Sequence, residues 1–443
     1  MKALSTLTKK DKNVLTSILA LAFVIKLVLA FTVHVELRSD SMVYDALAKN
    51  LVEKGEYSFE GSTTALLIPG YPIFLAGVYY VFGSDQVFVK VIQSLFEIVS
   101  ALLFFLISLK LFDKKHALIS VAIFSFFPSN ILFSQTILTE PLFCLLQMTL
   151  LYLCICGNMP KNTFWLGLVW GAAIMVRTSF ALSIILVPLF FLIKRKELLN
   201  DNLTRSIKYS SIFIVGVFIV LAPWLVRNQT TMGTFSLATQ GGFTFWSGSN
   251  PDATGSWYYK IEESDPLFNE TDEVKRDKEF YRRGIDYAVH NPHKWLITGV
   301  KKLGYLFSSE RMIILYFMND PGEGQTSTEL YREANPLFNA VVNLPYFLVM
   351  LLGTWGLLAI RKNTFFLYGI VIMWMVTIFI FVALARYHYV LVPFFIIGTV
   401  KSLSLGRNIF SEMTLTRKLL AGAFSLFLIG VWASEFYLLF KGG

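Results

Sequence analysis

Long apolar runs alternate with short charged connections along most of the chain. The runs lie near 14–33, 86–109, 117–134, 138–156, 163–177, 179–193, 209–225, 338–360, 364–384, 388–404 and 418–438. Several approach or exceed the ~18 residues that cross the ~30 Å hydrocarbon core of a bilayer. The pattern predicts an all-α polytopic membrane protein with about eleven transmembrane helices. One further run, LIPGYPIFLAGVYYVF at 67–82, is short and broken by Pro69, Gly70 and Pro72. Counting it as a span would put Lys110, Lys114 and Lys115 outside, against the bias of Lys and Arg toward cytoplasmic loops. It is therefore read as an interfacial or re-entrant helix.

Charge sets the orientation. Lys2, Lys9, Lys10 and Lys12 precede the first run, so the N-terminus is expected in the cytoplasm. The same parity puts Lys161, the Lys194–Lys208 cluster, Arg361 and Lys362, and Arg407, Arg417 and Lys418 on the cytoplasmic side. Three regions follow: an N-terminal transmembrane bundle (1–225) carrying the first external loop (34–85), an external region (226–335), and C-terminal transmembrane helices (336–443). In the first loop Tyr44, Leu47, Ala48, Leu51 and Val52 repeat at helical spacing. Ser39 or Asp40 can cap the start of that helix, and Gly55 its end. The external region is expected to be small and α-rich, with an acidic stretch around Glu262–Asp265 and helices near 274–290 and 293–308. In the second helix Trp295, Leu296, Val300, Leu303 and Leu306 oppose Lys294, Lys301 and Lys302, a pattern for a helix lying on the membrane surface.

Composition agrees with a membrane protein. The chain is 55% hydrophobic and 16% charged, whereas a soluble domain is about 25% charged. The net charge of +9 reads as topology, not as a nucleic-acid surface. The first run is too long for a signal peptide and lacks a small-residue cleavage site, so it is read as a retained helix. Cys144, Cys154 and Cys156 share one apolar run and match no metal or redox spacing. His290 and His293 flank Pro292, which reads as a turn before a helix more than as a metal site. Lys26 and Glu97 lie inside neighbouring antiparallel spans at depths that differ by about 6 Å at 1.5 Å per residue. They either pair or leave Lys26 to snorkel.

Chemistry concentrates at the external ends of the spans. Asp40 follows the first span, and Glu140 (ILTEPLF) sits at an outer turn. Arg177 (MVRTSF), Arg227 (APWLVRN), Arg386 and His388 (ARYHYVLVPF) fall at the same level. A charge at depth in a bilayer costs roughly 2.5–3.5 kcal/mol on insertion scales, so such groups line a cavity or reach for headgroups. Asp40 taken alone could be only a helix cap. Acids and arginines together suit sugar transfer from a polyprenyl phosphate. A carboxylate takes the proton of an acceptor hydroxyl, and guanidinium groups hold the departing phosphate. A transporter or lipid flippase is the alternative; it would favour internal repeats and broken spans near the midplane, and no internal repeat is visible.

Five strings carry a resemblance: SDSMVYDALAKNLVEKGEY, PGYPIFLAGVYYVFG, ILTEPLF, APWLVRNQTTMGTFSLATQGGFTFWSGSNPDATG and RYHYVLVPF. Over about residues 14–400 the sequence resembles the membrane-embedded GT-C type glycosyltransferases. Within them it is similar to the dolichyl-phosphate-mannose protein mannosyltransferase-like group, which includes the lipid A aminoarabinose transferases. The resemblance implies an inverting hexosyl- or pentosyltransferase on the external face of a plasma (inner) membrane. Asp40 would be the general base and Glu140 a supporting acid. Arg227, Arg386 and, third, Arg177 would bind the donor phosphate, and Tyr44, His388, Trp246 and Asn250 complete the candidates for the substrate site. Ser41 stands where the family often has a second acid, so no metal is expected, and no cofactor. The implied partners are a polyprenyl-phosphate-linked sugar donor such as an undecaprenyl phosphate, a lipid, glycan or protein acceptor, and membrane lipid, with no nucleic acid.

Overall fold

The computed structural model describes residues 7–257, 265–318 and 327–441. Glu262 and Glu263 of the acidic stretch lie outside the described residues. The chain is helical almost throughout. The first half runs α1 (Lys9–Thr32), α2 (Asp40–Lys54), a two-stranded hairpin of β1 (Ser58–Phe59) and β2 (Ser62–Thr63), α3 (Gly70–Phe82), α4 (Gln86–Leu111), α5 (Lys114–Ser125), α6 (Pro128–Phe133), α7 (Glu140–Ile155) and α8 (Met159–Val176). A 3₁₀ segment (Thr178–Ile185) leads into α9 (Leu186–Ile193), α10 (Arg195–Leu199) and α11 (Leu203–Met232). The polar stretch between α11 and the next long apolar helix holds α12 (Gly241–Ser247), α13 (Glu273–His290), α14 (Pro292–Leu306), α15 (Arg311–Tyr316) and α16 (Ser327–Arg332). The chain continues through α17 (Pro336–Ala359), α18 (Thr364–Ile380), a 3₁₀ turn (Ala385–Val390), α19 (Val392–Leu405), α20 (Ile409–Glu412) and α21 (Leu415–Lys441).

Helices α1, α4, α11, α17 and α21 are long and apolar enough to cross a membrane, and α3, α7, α18 and the Thr178–Ile193 stretch are shorter apolar helices. Helix α3 has 13 residues, about 20 Å at 1.5 Å per residue, well short of the ~30 Å core. The run 117–134 is not one helix: it breaks before Pro128, where Phe127 takes an extended conformation, as the residue before a proline prefers. The run 209–225 is longer at both ends, so Arg227 and Asn228 sit inside α11, which closes on a left-handed Gly233.

Small residues bring the membrane helices together. A Cβ on Gly356 of α17 would lie 1.7 Å from the carbonyl oxygen of Gly398 on α19, so only glycine fits this crossing. The buried interior joins most of the helices, with Trp170, Trp374, Tyr346 and Tyr389 among its largest side chains.

Two expectations about lysines are corrected. Lys26 is 1% exposed, so it does not snorkel. It donates to the Asn130 carbonyl oxygen, while Glu97 accepts from the Tyr389 hydroxyl at 2.8 Å, so the two share no direct ion pair. Lys302 is fully buried and does not share the polar face of α14 with Lys301. Its ammonium donates to the Phe379 and Ile380 carbonyl oxygens at 3.1 and 2.9 Å, at the C-terminal end of α18. That end carries partial negative charge and welcomes a cation, and Gly299 lets the ring of Phe379 pack against the same face of α14.

Candidate active site

Two carboxylates each open a helix. Asp40 is the first residue of α2 and Glu140 the first of α7, where the helix dipole favours an anion. Asp40 does not act as a side-chain cap. The N-cap position is Ser39, which makes no cap hydrogen bond and holds φ at 50°, a conformation costly for a non-glycine residue. Ser41 spends its hydroxyl on the Arg38 backbone, accepting from the N–H at 2.6 Å and donating to the carbonyl at 2.8 Å. The Asp40 carboxylate is thereby free to accept from Arg386 Nη2.

Arg386 rises from the 3₁₀ turn between α18 and α19, and Arg177 stands at the C-terminal cap of α8. Arg177 Nη2 donates to Glu140 Oε1 at 2.9 Å, and Arg386 Nε lies 4.0 Å from that same oxygen. The four groups thus form a chain: Asp40, Arg386, Glu140, Arg177. Glu140 is fully buried and both arginines nearly so, whereas the Asp40 side chain is 32% exposed. The cluster is reached from the Asp40 side.

Aromatic rings fix the guanidinium groups. Arg177 lies 5.3 Å from the ring centre of Tyr387 and 5.8 Å from those of Phe143 and Trp374. Arg386 lies 5.8 Å from the Tyr387 ring centre as well, so both cations gain from the same ring. Two donors, Arg177 Nη1 and Arg386 Nε, have no hydrogen-bond partner among the described residues. A buried donor left unmatched costs about 1–3 kcal/mol, and an anionic oxygen would relieve both. Tyr44 packs edge-on against Tyr71. Burial, then the charge of Asp40, pushes the Tyr44 phenol well above its usual range, so it stays protonated and can only donate from its hydroxyl or accept on its oxygen.

The other candidates go elsewhere. Arg227 spends its donors on the Thr64 and Tyr57 carbonyl oxygens at 2.7 and 3.1 Å and on the Asn228 side chain at 2.9 Å, lying over Trp224. It clamps the segment between α2 and α3 to α11. His388 is fully buried, with Nδ1 3.1 Å from the Leu306 carbonyl oxygen, and its Nε2 approaches Glu310 Oε2 to 3.1 Å as a close polar contact that is not aligned as a hydrogen bond. Trp246 packs among Phe243, Phe280 and Trp257, and Asn250 closes the turn after α12 through the Trp246 carbonyl oxygen at 2.8 Å. The glycines of this string serve packing: a Cβ on Gly242 would lie 2.0 Å from the Asp277 carbonyl oxygen on α13.

Sequence reasoning missed several residues around the cluster. Tyr387 adjoins Arg386 in RYHY and is the ring that both arginines approach. Tyr316, with its hydroxyl 3.4 Å from Arg386 Nη1, and Glu310 come from a segment whose distance in sequence hides the contact. An acid stranded between apolar stretches, as in SSERMIIL, was the available signal for Glu310. Among the described residues, no group of three or more His, Cys, Asp or Glu side chains is placed to hold a metal.

Similar solved structures include the archaeal oligosaccharyltransferase AglB from Archaeoglobus fulgidus in complex with an inhibitory peptide and a dolichol-phosphate. It is 15% identical, with a TM-score of 0.47, over 96% of this chain and 55% of that one. The Archaeoglobus fulgidus oligosaccharyltransferase tethered to an acceptor peptide containing the NVT sequon gives 15% identity and a TM-score of 0.46, over 96% and 54%. The chain therefore spans about half the length of these proteins. No curated protein matches the sequence. Residues 68–226, from before α3 to the outer part of α11, match the family model described as dolichyl-phosphate-mannose-protein mannosyltransferase. The chain is thus similar to the GT-C type mannosyltransferases of that family, and residues 68–226 carry the match.

Proposed function

We propose that this protein is an integral-membrane glycosyltransferase. It moves a sugar from a polyprenyl-phosphate donor to an acceptor hydroxyl on the external face, with inversion at the anomeric carbon. The observation that carries the reading is the Asp40–Arg386–Glu140–Arg177 chain, with its two unmatched guanidinium donors. Before the donor arrives, Arg386 holds Asp40 in an ion pair. The donor phosphate competes for Arg386 and for the free Nη1 of Arg177, which releases Asp40 to act as base. Asp40 then takes the acceptor proton as the hydroxyl oxygen bonds to the anomeric carbon. The bond from that carbon to the phosphate oxygen breaks, and polyprenyl phosphate leaves with its charge held by the arginines. Glu140 keeps Arg177 in place. The family match supports a mannosyltransferase-like reaction but leaves sugar and acceptor to be chosen by assay.

The test is Asp40→Asn, nearly isosteric, assayed in membranes for transfer from a radiolabelled polyprenyl-phosphate sugar. Transfer should fall by about 10²-fold or more, the range for losing a general base, at unchanged protein abundance. Wild-type transfer by the variant would overturn the assignment.

A further inference from the structure

The 3₁₀ turn that carries Arg386 is pinned along its length. Arg386 meets Asp40 of α2, His388 meets Glu310 of the segment before α15, and Tyr389 donates to Glu97 of α4 at 2.8 Å. Three contacts within four residues, to three carboxylates on three different elements, leave the turn little freedom. A 3₁₀ turn needs such help, because its own hydrogen bonds are poorly aligned.

Of the three, Glu310 has the widest reach. It is 1% exposed and accepts from the Ser129 hydroxyl on α6, and its own N–H donates to Asn343 of α17 at 2.8 Å. Next to it, Ser309 is held by Glu435 of α21, through its N–H and its hydroxyl, both at 2.8 Å. Beyond it, Tyr316 touches Arg386, and the Leu315 and Met318 carbonyl oxygens accept from Arg38 at 3.2 and 2.6 Å. Arg38 lies two residues before Asp40. Residues 309–318 therefore touch both sides of the Asp40–Arg386 pair and are themselves tied to α6, α17 and α21.

We infer that Glu310, through His388, is a positioning residue that sets where Arg386 stands relative to Asp40. The inference rests on the glycosyl-transfer reading, but its geometry can be tested apart from that reading. Neither Glu310 nor His388 needs to touch substrate. Their pair fixes the turn, and the turn places the guanidinium. A misplacement of about 1 Å at a reacting centre costs about 10²-fold in rate.

The experiment uses the full-length protein in membranes and in detergent. Glu310→Ala is expected to lower kcat about 10²-fold, with KM for the polyprenyl-phosphate sugar within about threefold. Glu310→Gln can still accept from Ser129 and donate to His388 Nε2, so it should recover kcat to within about tenfold of wild type. His388→Asn keeps a donor for the Leu306 carbonyl but no longer reaches Glu310. It should reproduce the Glu310→Ala loss, and it serves if Glu310→Ala does not fold. Combined with Arg386→Ala, either variant should add no further loss, because both act through the same guanidinium.

Hydrogen–deuterium exchange supplies the readout that does not depend on activity. Amides of residues 383–391 should exchange at least about tenfold faster in Glu310→Ala and His388→Asn than in wild type. Losses that add to Arg386→Ala, or wild-type kcat in both folded variants, would overturn the inference. So would unchanged exchange over 383–391. If exchange rises while Arg386→Ala keeps full transfer, the positioning holds and the function assigned to Arg386 fails.

Discussion

Arg386 follows α18 and Arg227 lies in the last turns of α11, and both sit in strings that resemble the same family. Their surroundings differ. Arg386 meets carboxylates and keeps a donor unmatched, and Arg177 beside it does the same. Arg227 meets backbone carbonyls and a side-chain amide. Its neighbours follow that rule. Glu273 accepts from the Ala65 N–H at 2.6 Å and from the Thr64 and Thr239 hydroxyls, and Asp277 accepts from the Gly242 N–H at 2.6 Å. In the inner cluster charge answers charge and leaves donors over for a ligand. In the outer clamp charge answers backbone and holds a loop. An arginine becomes a ligand-binding candidate when its environment fails to use it up.

The sharpest way to break that contrast is to remove one member of the inner cluster. Arg177→Met leaves buried Glu140 without its hydrogen-bonded cation, with only Arg386 at 4.0 Å, a change that costs about 3–5 kcal/mol. The yield of folded protein and its melting temperature in detergent should fall steeply. Adding Glu140→Gln should restore the fold but not transfer, because the phosphate ligand is still missing. If Arg177→Met alone melts like wild type, the pair is not the buried unit described.

In the outer clamp, by contrast, neutralising an acid should help. Asp277 is 7% exposed and has a backbone N–H but, among the described residues, no direct ion pair, and burial pushes its carboxyl up to about 6. The folded state then holds a proton that the unfolded chain releases near pH 4. Its contribution is full below about pH 4 and is lost as pH rises through about 6, worth roughly 3 kcal/mol for a shift of about two units. Asp277→Asn keeps an acceptor for Gly242 and cannot ionise. Melting curves from pH 4 to 7 should show the variant gaining on wild type as pH rises. Parallel curves would mean that Asp277 is not held as the structure places it.

Next in size is a matched exchange. Arg386→Lys keeps the charge but loses the fork that can hold Asp40 and a phosphate together, and transfer should drop about 10²-fold. Arg227→Lys gives up the reach to two carbonyl oxygens at once, and transfer should stay within about threefold while the melting temperature falls. Equal losses of transfer would erase the distinction between the two arginines and return Arg227 to the phosphate site.

Which parts of this were legible in the sequence follows from the physics. Helices announced themselves through long apolar runs, but the run 117–134 reads as one span although Pro128, which forces the break, stands in plain view. Asp40, Glu140 and Arg177 were legible because each sits at a helix end, where a charge among apolar residues stands out. Arg227 was not separable from Arg386, because its partners are backbone carbonyls 163 and 170 residues away, and a backbone leaves no signature in side-chain pattern. Lys302 looked exposed because helical period alone cannot say which face meets a neighbour. Here Gly299 turns that face onto Phe379. Glu310 went unnoticed and His388 stood only as a substrate-site candidate, and only the fold puts the two 3.1 Å apart.

The smallest expected effect probes how far the outer clamp reaches inward. Glu273 ties residues 64 and 65 to α13, and Arg227 ties residues 57 and 64 to α11. The tethered loop follows α2 in the chain, so the clamp sits at the far end of the helix that Asp40 opens. Glu273→Gln keeps one acceptor oxygen but turns an amide toward groups that also donate. One charged hydrogen bond among three is weakened, a loss of about 1–2 kcal/mol. The melting temperature should fall by a few degrees, while transfer stays within about threefold, because Asp40 is placed by Arg386 and Ser41 is anchored to Arg38 independently of the clamp. A loss of transfer as deep as that of Arg386→Lys would show the opposite. The loop would then hold α2 in register, and the two regions would act as one unit.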